Sequence, residues 1–589
     1  MMQIDARDCT AISLRSEAST RPSTARAGPL ESAGHQPAGQ RLQSIEAKVQ
    51  RMKQIKRILL VEPPVTRPAE FSATRVRISP FFPLGLGYLS AVLIPLGYEV
   101  LLLDALMKGI ERGEQAYGEG MVRYGLTDEE IGCEIEAFKP DVVGVSAVFS
   151  AKDFDAKNVC RISKNTLPRV PTVMGGAYAG AAHRELLAGE NALDYVVIGE
   201  GEQAFTQLLR AMDAGQDCEK IDGLAYRING KPRFNPKSSY IQDLDTIPFP
   251  ARELVDMEKY FRLGVAHDRF RYRPFTQMIT SRGCPFRCTF CTLSQHWGRV
   301  QRLRSAGNVL KEIDVLVKQY GVREIHFEDD NLTADKPRAL AIFRGLRERG
   351  YNIAWTVPTG MSVATLDEGL LHEMAASGCY SVSLGIESGN QEVLSRLMRK
   401  PVNLKKVPGL VKAIRDHGML ARGFFMIGYP GETRKTIKET IAFARSLELD
   451  WSFFFVATPL PHTEMYDMAL RQGYLHAGDF NPVTAMHESV IKTPEFDNEY
   501  LTEIREEAIR DLNFRNNPNL TKFNVDQAIE DFEHVIGLYP HFDFAHEALG
   551  DAYRRKGIPE KACECWRRAI DANSENASAA TKLREFCSK

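Results

Sequence analysis

Three cysteines, Cys284, Cys288 and Cys291, stand within eight residues, directly behind an apolar run that ends at Ser281. Thiols this dense must share one loop, and Gly283 supplies the sharp turn with which such a loop can begin. A loop of this kind can hold three irons of a cubane iron–sulfur cluster. The fourth iron then lacks a protein ligand and stays open to a substrate that takes an electron. Zinc ribbons instead close a tetrahedral site with four ligands in paired C-x-x-C groups. The next cysteine, Cys379, is about ninety residues away. A Cys3His zinc site completed by His296 is the alternative, but Phe286 and Phe290, interleaved with the cysteines, suit a dry redox site better than an exposed zinc knuckle.

The other cysteines, scattered and bringing the total to an odd eleven, do not form a secreted disulfide framework, so a reducing compartment is expected. Lys+Arg 75 against Asp+Glu 76 leaves a net charge of −1, and no global basic field exists to hold nucleic acid. The apolar stretch 81–106 is broken by Pro83, Gly85, Gly87, Pro95, Gly97 and Glu99, which favours strand, helix, strand over a membrane span. Residues 1–28 lack the apolar core of a signal peptide, so a cytoplasmic protein is expected.

At 589 residues the chain should hold roughly three or four folded units. Residues 1–54, rich in Ser, Ala, Arg and Gly, read as a disordered leader. From residue 55 to 215 short apolar runs (57–62, 99–104, 141–146, 172–175, 194–198) alternate with helical stretches, the pattern of a doubly wound α/β sheet. Short strands and Pro-rich turns mark 216–272 as a linker or small subdomain. Six further strand–helix units between 273 and 475 predict a partial (β/α)6 barrel, with function expected at the C-terminal ends of its strands. A connecting segment, 476–525, leads to a helical tail, 526–589. Its small and aromatic positions (Ala545, Leu549, Gly550, Tyr553, Gly557, Ala562, Trp566) fit a tetratricopeptide-like repeat of about 34 residues. One repeat and part of another are too few to stand alone, so the tail should dock on the body or on a partner.

Cys-x-x-x-Cys-x-x-Cys with an aromatic before the last cysteine, opening a βα barrel, resembles the radical S-adenosylmethionine superfamily over about residues 275–470. The resemblance implies a [4Fe–4S] cluster on Cys284, Cys288 and Cys291, and S-adenosylmethionine as cofactor beside Phe290. Glu328-Asp329-Asp330-Asn331 ends the second strand, where Glu328 and Asp329 would receive the amino end of the cofactor. Glu387 and Ser388 end the fourth, on the ribose side, and Gly428 ends the fifth, on the adenine side. Where relatives usually read Pro-Gly-Thr after the sixth strand, this chain reads Pro461-His462-Thr463, so His462 is a candidate substrate-facing acid or base, or an ordinary loop residue.

The first domain resembles the cobalamin-binding domain fused to many such enzymes, through Pro83-Leu84-Gly85-Leu86-Gly87, Gly175-Gly176 and Gly199-Glu200-Gly201-Glu202. Small residues at strand ends, Ser146, Gly175 and Gly176, let the backbone approach a large flat ring. The family's Asp-x-His-x-x-Gly appears as Asp104-Ala-Leu106-Met-Lys-Gly109, so cobalt would lack the usual lower histidine. The resemblance as a whole implies a cobalamin-dependent radical methylase. In such enzymes a 5′-deoxyadenosyl radical takes hydrogen from an unactivated carbon of a small molecule, lipid or peptide, methylcobalamin supplies the methyl group, and a flavodoxin or ferredoxin supplies electrons. The alternatives are an oxidative cyclase or rearrangement enzyme and, from another class, a non-catalytic scaffold that recruits a protein partner through its tail. No paired cysteine triplet in the first domain supports a methylthiotransferase.

Overall fold

The computed structural model describes residues 55–71, 78, 80–264, 269–476, 478, 480 and 489–587. The expected leader, 1–54, lies outside them. In the first domain, strands β1 (Arg57–Glu62), β2 (Glu99–Asp104), β3 (Val142–Ser146), β4 (Thr172–Gly175) and β5 (Tyr195–Val197) are parallel, in the spatial order β5-β4-β3-β1-β2. Alternation along β1 explains why helices cover both faces. Leu59 and Val61 enter a core built with Ile131, Val159 and Leu186, while Ile58 and Leu60 enter one built with Leu86, Leu93 and Leu208.

The sheet does not stop where the sequence suggests. Leu224–Ile228 adds to β5 antiparallel and Lys231–Phe234 pairs with it in turn, so part of the segment expected as a linker is sheet edge. Such strands are hard to foresee: the outermost one is exposed throughout, so it carries no apolar pattern.

Six parallel strands follow in sequence order: β6 (Phe275–Met278), β7 (Glu324–Phe327), β8 (Ala354–Thr356), β9 (Cys379–Glu387), β10 (Leu420–Ile427) and β11 (Trp451–Val456). Neighbours in the chain are neighbours in the sheet, as in an open (β/α)6 barrel. The helices that return the chain start on side-chain caps. Ser305, Asp335, Asp367 and Thr433 each accept a hydrogen bond from a first-turn backbone N–H, satisfying donors that would otherwise lack partners.

The tail packs on the opposite end of the barrel from the strand tips. Asn513 exchanges two 2.8 Å hydrogen bonds with the backbone of Ser452, and Asn519 Nδ2 donates to Asp450 Oδ1 at 2.7 Å. Arg269, just ahead of β6, pairs with Asp531 at 2.5 Å and Glu530 at 2.7 Å. Helices Val525–Leu538, Asp543–Arg555, Pro559–Ala572 and Ala577–Cys587 share one core around Phe532 and Trp566. Cys563 and Cys587 on the last two form a disulfide, a pairing that their spacing did not suggest and that departs from the all-reduced expectation. No helix among the described residues is long and apolar enough to cross a membrane.

Candidate functional site

The cysteine loop is tied at both ends. Ser281–Arg282 pairs antiparallel with Arg302–Leu303, so residues 283–301 leave and return through one short ladder. Gly283 takes φ +85°, and its N–H donates to Asp330 Oδ2 at 3.0 Å. Thr289 fixes the middle. Its N–H donates to Met398 O at 3.0 Å, its hydroxyl reaches Leu397 O at 2.7 Å and the Tyr429 hydroxyl at 2.6 Å, and its carbonyl accepts from Met465 N–H at 3.0 Å.

Cys284, Cys288 and Cys291 are half-buried free thiols. Burial pushes their pKa values up, to about 11 for Cys288 and about 12 for Cys291, so a bound cation is needed to hold them as thiolates near neutral pH. Among the described residues no three His, Cys, Asp or Glu side chains converge on a point that one metal ion could occupy. A cubane, with each thiolate on a different iron, does not require that convergence. His296 lines the cavity with its ring 4.2 Å from Trp297, burial, with the Arg282 charge adding, lowers its pKa to about 4, and it does not converge with the cysteines on one metal position. The donor set therefore fits a cluster with one open iron and not a Cys3His zinc site.

A cavity of about 1790 Å³ joins this loop to the first domain. From the first domain it is lined by Leu106, Ser146, Gly175 and Gly176, and from the barrel by Phe290, Glu328, Asp330, Met426 and His462. The sequence thus anticipates residues on both walls. It passes over Asp330, whose carboxyl burial raises to about 7. Four expected cofactor contacts, Asp329, Glu387, Ser388 and Gly428, do not line the cavity. Asp329 is fully buried and accepts hydrogen bonds from the Thr280 and Ser281 hydroxyls, Ser388 is hydrogen-bonded to Thr440, and a Cβ on Gly428 would sit 2.6 Å from Leu501. Glu387 takes φ +68° and accepts from buried Lys400 at 2.6 Å. Adjacent residues at a strand end point to opposite sides, so a four-residue acidic motif cannot face the cavity as a block.

On the first domain's side the backbone is shaped for close approach. Gly176 has φ +115°, and a Cβ there would lie 2.6 Å from the carbonyl of Ala147. Asp104 lines the cavity, but its carboxylate is engaged within the protein. It caps the following helix through Met107 N–H at 2.8 Å and accepts from the Tyr260 hydroxyl at 2.5 Å, with Leu106 buried two residues on. The wide crevice, small strand-end residues and apolar Leu106 fit a corrin held without a protein imidazole.

Burial, with the Glu62 charge adding, pushes the Asp104 carboxyl up to about 6. The folded state therefore binds the proton more tightly than the unfolded chain, and stability is lost as pH rises from the unfolded value towards and through 6. Asp104→Asn, which does not titrate, should gain on the wild type by about 1–2 kcal/mol between pH 5 and pH 8. Urea melts of the cofactor-free proteins at the two pH values read this directly, and a pH-independent difference would reject the assignment.

The two walls are locked by charge. Arg282 reaches Glu200 at 2.8 Å and Glu202 at 2.5 Å, and Arg302 reaches Glu200 at 2.5 Å, all buried. His462, at φ +67°, places Nε2 3.9 Å from Glu185 across the cavity mouth, and Gln295 donates to its carbonyl.

Comparison with known proteins agrees with both walls. The family model of the Radical SAM superfamily matches residues 278–444, and that of the B12 binding domain matches residues 75–209. Cytidylyl-2-hydroxyethylphosphonate methyltransferase of Streptomyces wedmorensis is 34% identical over 469 residues, 74% of this chain and 86% of that protein. An anaerobic magnesium-protoporphyrin IX monomethyl ester cyclase of Rubrivivax gelatinosus is 28% identical over 393 residues, 65% of each chain. The solved structure of the cobalamin-dependent S-adenosylmethionine radical enzyme OxsB shares the fold with a TM-score of 0.65 at 15% identity, covering 90% of this chain and 80% of that one.

Proposed function

Because the chain belongs to the radical S-adenosylmethionine enzymes that carry a B12 binding domain, we propose that it methylates an unactivated carbon of a small molecule in the cavity between its two α/β domains. The observation that carries this reading is the cavity itself, a single space lined by Gly175, Gly176 and Leu106 on one wall and by the approach to the cysteine loop on the other. When bound, a cluster would supply the electron that cleaves S-adenosylmethionine and cobalamin would carry the methyl group.

The chain's own residues bind, orient and exclude water. Cys284, Cys288 and Cys291 would hold the cluster, while Glu328 and Asp330 would present carboxylates to the amino end of S-adenosylmethionine and Phe290 would cover the loop. Ser146, Gly175 and Gly176 would seat the corrin, and apolar Leu106 on the same wall would offer cobalt no imidazole. His462, strained and cavity-facing, is the substrate-side candidate. Holding both reacting partners in one closed space turns encounters into near-unimolecular steps. A flavodoxin or ferredoxin would deliver the electron.

The cyclase reading is kept because three relatives bear that name, whereas relatives named methyltransferases reach 34% identity over more of the chain. A carrier protein at the tail is less favoured, since the tail braces the end of the barrel away from the cavity.

Anaerobically reconstituted protein supplied with cobalamin should retain it through gel filtration, and its paramagnetic cobalt spectrum should show no splitting from a protein imidazole. Elution without cobalamin would remove the methylase reading while leaving radical generation intact.

A further inference from the structure

Behind the cysteine loop, away from the cavity, Asn331 is buried against Cys284, with 2% of its surface exposed and Nδ2 3.8 Å from the Cys284 sulfur. Its backbone carbonyl accepts from Gln301 Nε2 at 2.8 Å, and its Oδ1 is buried with no partner among the described residues. Of the two amide orientations, only this one presents a donor to the sulfur, and the opposite one would set an oxygen against a thiolate.

The residue is held on rigid structure. Glu328 N–H donates to Met278 O at 2.8 Å, which ties β7 to β6, and Asp330 accepts from Gly283 N–H at 3.0 Å. The 328–331 turn therefore grips the start of the loop at two successive residues, Gly283 and Cys284. Buried Lys400, paired with Glu387 at 2.6 Å, adds a positive charge near the thiols, whereas the Asn331 amide adds a donor aimed at the Cys284 sulfur.

We propose that Asn331 is a positioning residue that raises the reduction potential of the cluster by donating its amide N–H to the Cys284 sulfur. The inference rests on the iron–sulfur reading of the cysteine loop. One-electron reduction adds negative charge to the irons and their thiolates, breaks no bond and moves no proton. A fixed donor at sulfur stabilises the reduced form more than the oxidised form. Neither Asn331 nor its amide reaches the cavity, so the effect acts through Cys284 rather than through substrate or cofactor.

The test is an EPR-monitored titration of the anaerobically reconstituted full chain with a low-potential chemical reductant, without S-adenosylmethionine. Asn331→Leu should lower the reduced-to-oxidised ratio at fixed potential about tenfold, the loss of one hydrogen bond near 1.4 kcal/mol and ~59 mV for a one-electron couple. Asn331→Asp, nearly the same shape but with an acceptor in place of the donor, should shift it further the same way, and Asn331→Gln should recover part of the wild-type value. Iron content equal to wild type with an unmoved potential in both Asn331→Leu and Asn331→Asp would overturn the proposal. Wild-type protein gives an answer that needs no variant. With ¹⁵N-labelled asparagine, pulsed EPR of the reduced cluster should show a ¹⁵N coupling, and its absence would overturn the proposal equally. A wild-type sample with no cluster signal at all would instead defeat the iron–sulfur reading on which the proposal stands.

Discussion

Replacing Cys284, Cys288 and Cys291 together by alanine is expected to leave a folded protein that takes up no cluster and no longer cleaves S-adenosylmethionine, a fall of about 10⁶-fold or more, to the uncatalysed background. The fold should survive because the thiols carry little of the packing. Their loop is held by the 281–282/302–303 ladder and by the hydrogen bonds of Thr289, none of which uses a cysteine side chain. Each replacement removes only a half-buried sulfur. Cobalamin, for which Gly175 and Gly176 on the other wall are the proposed seat, should still bind. Iron and sulfide content, the visible absorption of the reconstituted protein and 5′-deoxyadenosine release measure the three parts separately. Residual cleavage at even a hundredth of the wild-type rate would mean that radical generation has been assigned to the wrong residues.

Arg282→Met is expected to cost about 3–5 kcal/mol of stability, the usual consequence of stranding a buried charge. Burial alone would push the Glu202 carboxyl up, but the Arg282 guanidinium outweighs it and holds the group below its ordinary value. With Met at 282, Glu202 keeps the burial and loses the cation, whereas Glu200 retains Arg302. The double variant Arg282→Met/Glu202→Gln should therefore recover a measurable part of the loss, which a double-mutant cycle in urea reads directly. Because these side chains join the Gly199–Glu202 turn of the first domain to the ladder that closes the cysteine loop, the single variant should also weaken cobalamin retention. A loss under about 1 kcal/mol would show that the contact adds little to the interface.

Much of this was legible before any coordinates. Apolar runs spaced by helix-length stretches are a direct print of βα units, and the six strand–helix units expected between 273 and 475 are there, as six parallel strands in sequence order. Cys284, Cys288 and Cys291 were legible because their chemistry requires one loop, and Leu106 because a fixed motif showed its departure. What escaped the sequence depended on direction or on distance along the chain. Asp329 and Asp330 are adjacent, yet one turns into the barrel wall and the other into the cavity, a difference of one residue in a strand-end turn. Arg282 and Glu200 are 82 positions apart, and no local pattern announces such a pair. The edge strand 231–234 is exposed along its length, so it reads as a loop. Cys563 and Cys587 meet only because two helices of the tail run side by side.

The products of a single turnover experiment test methylation most directly. The reconstituted, cobalamin-loaded protein is given S-adenosylmethionine labelled in its methyl group, a low-potential reductant and an extract of cells lacking the protein, as the source of substrate. It should form S-adenosylhomocysteine and 5′-deoxyadenosine together, and one compound of the extract should gain the labelled methyl. Release of 5′-deoxyadenosine without S-adenosylhomocysteine and without label transfer would contradict methylation and leave ring closure or rearrangement as the reaction of this site.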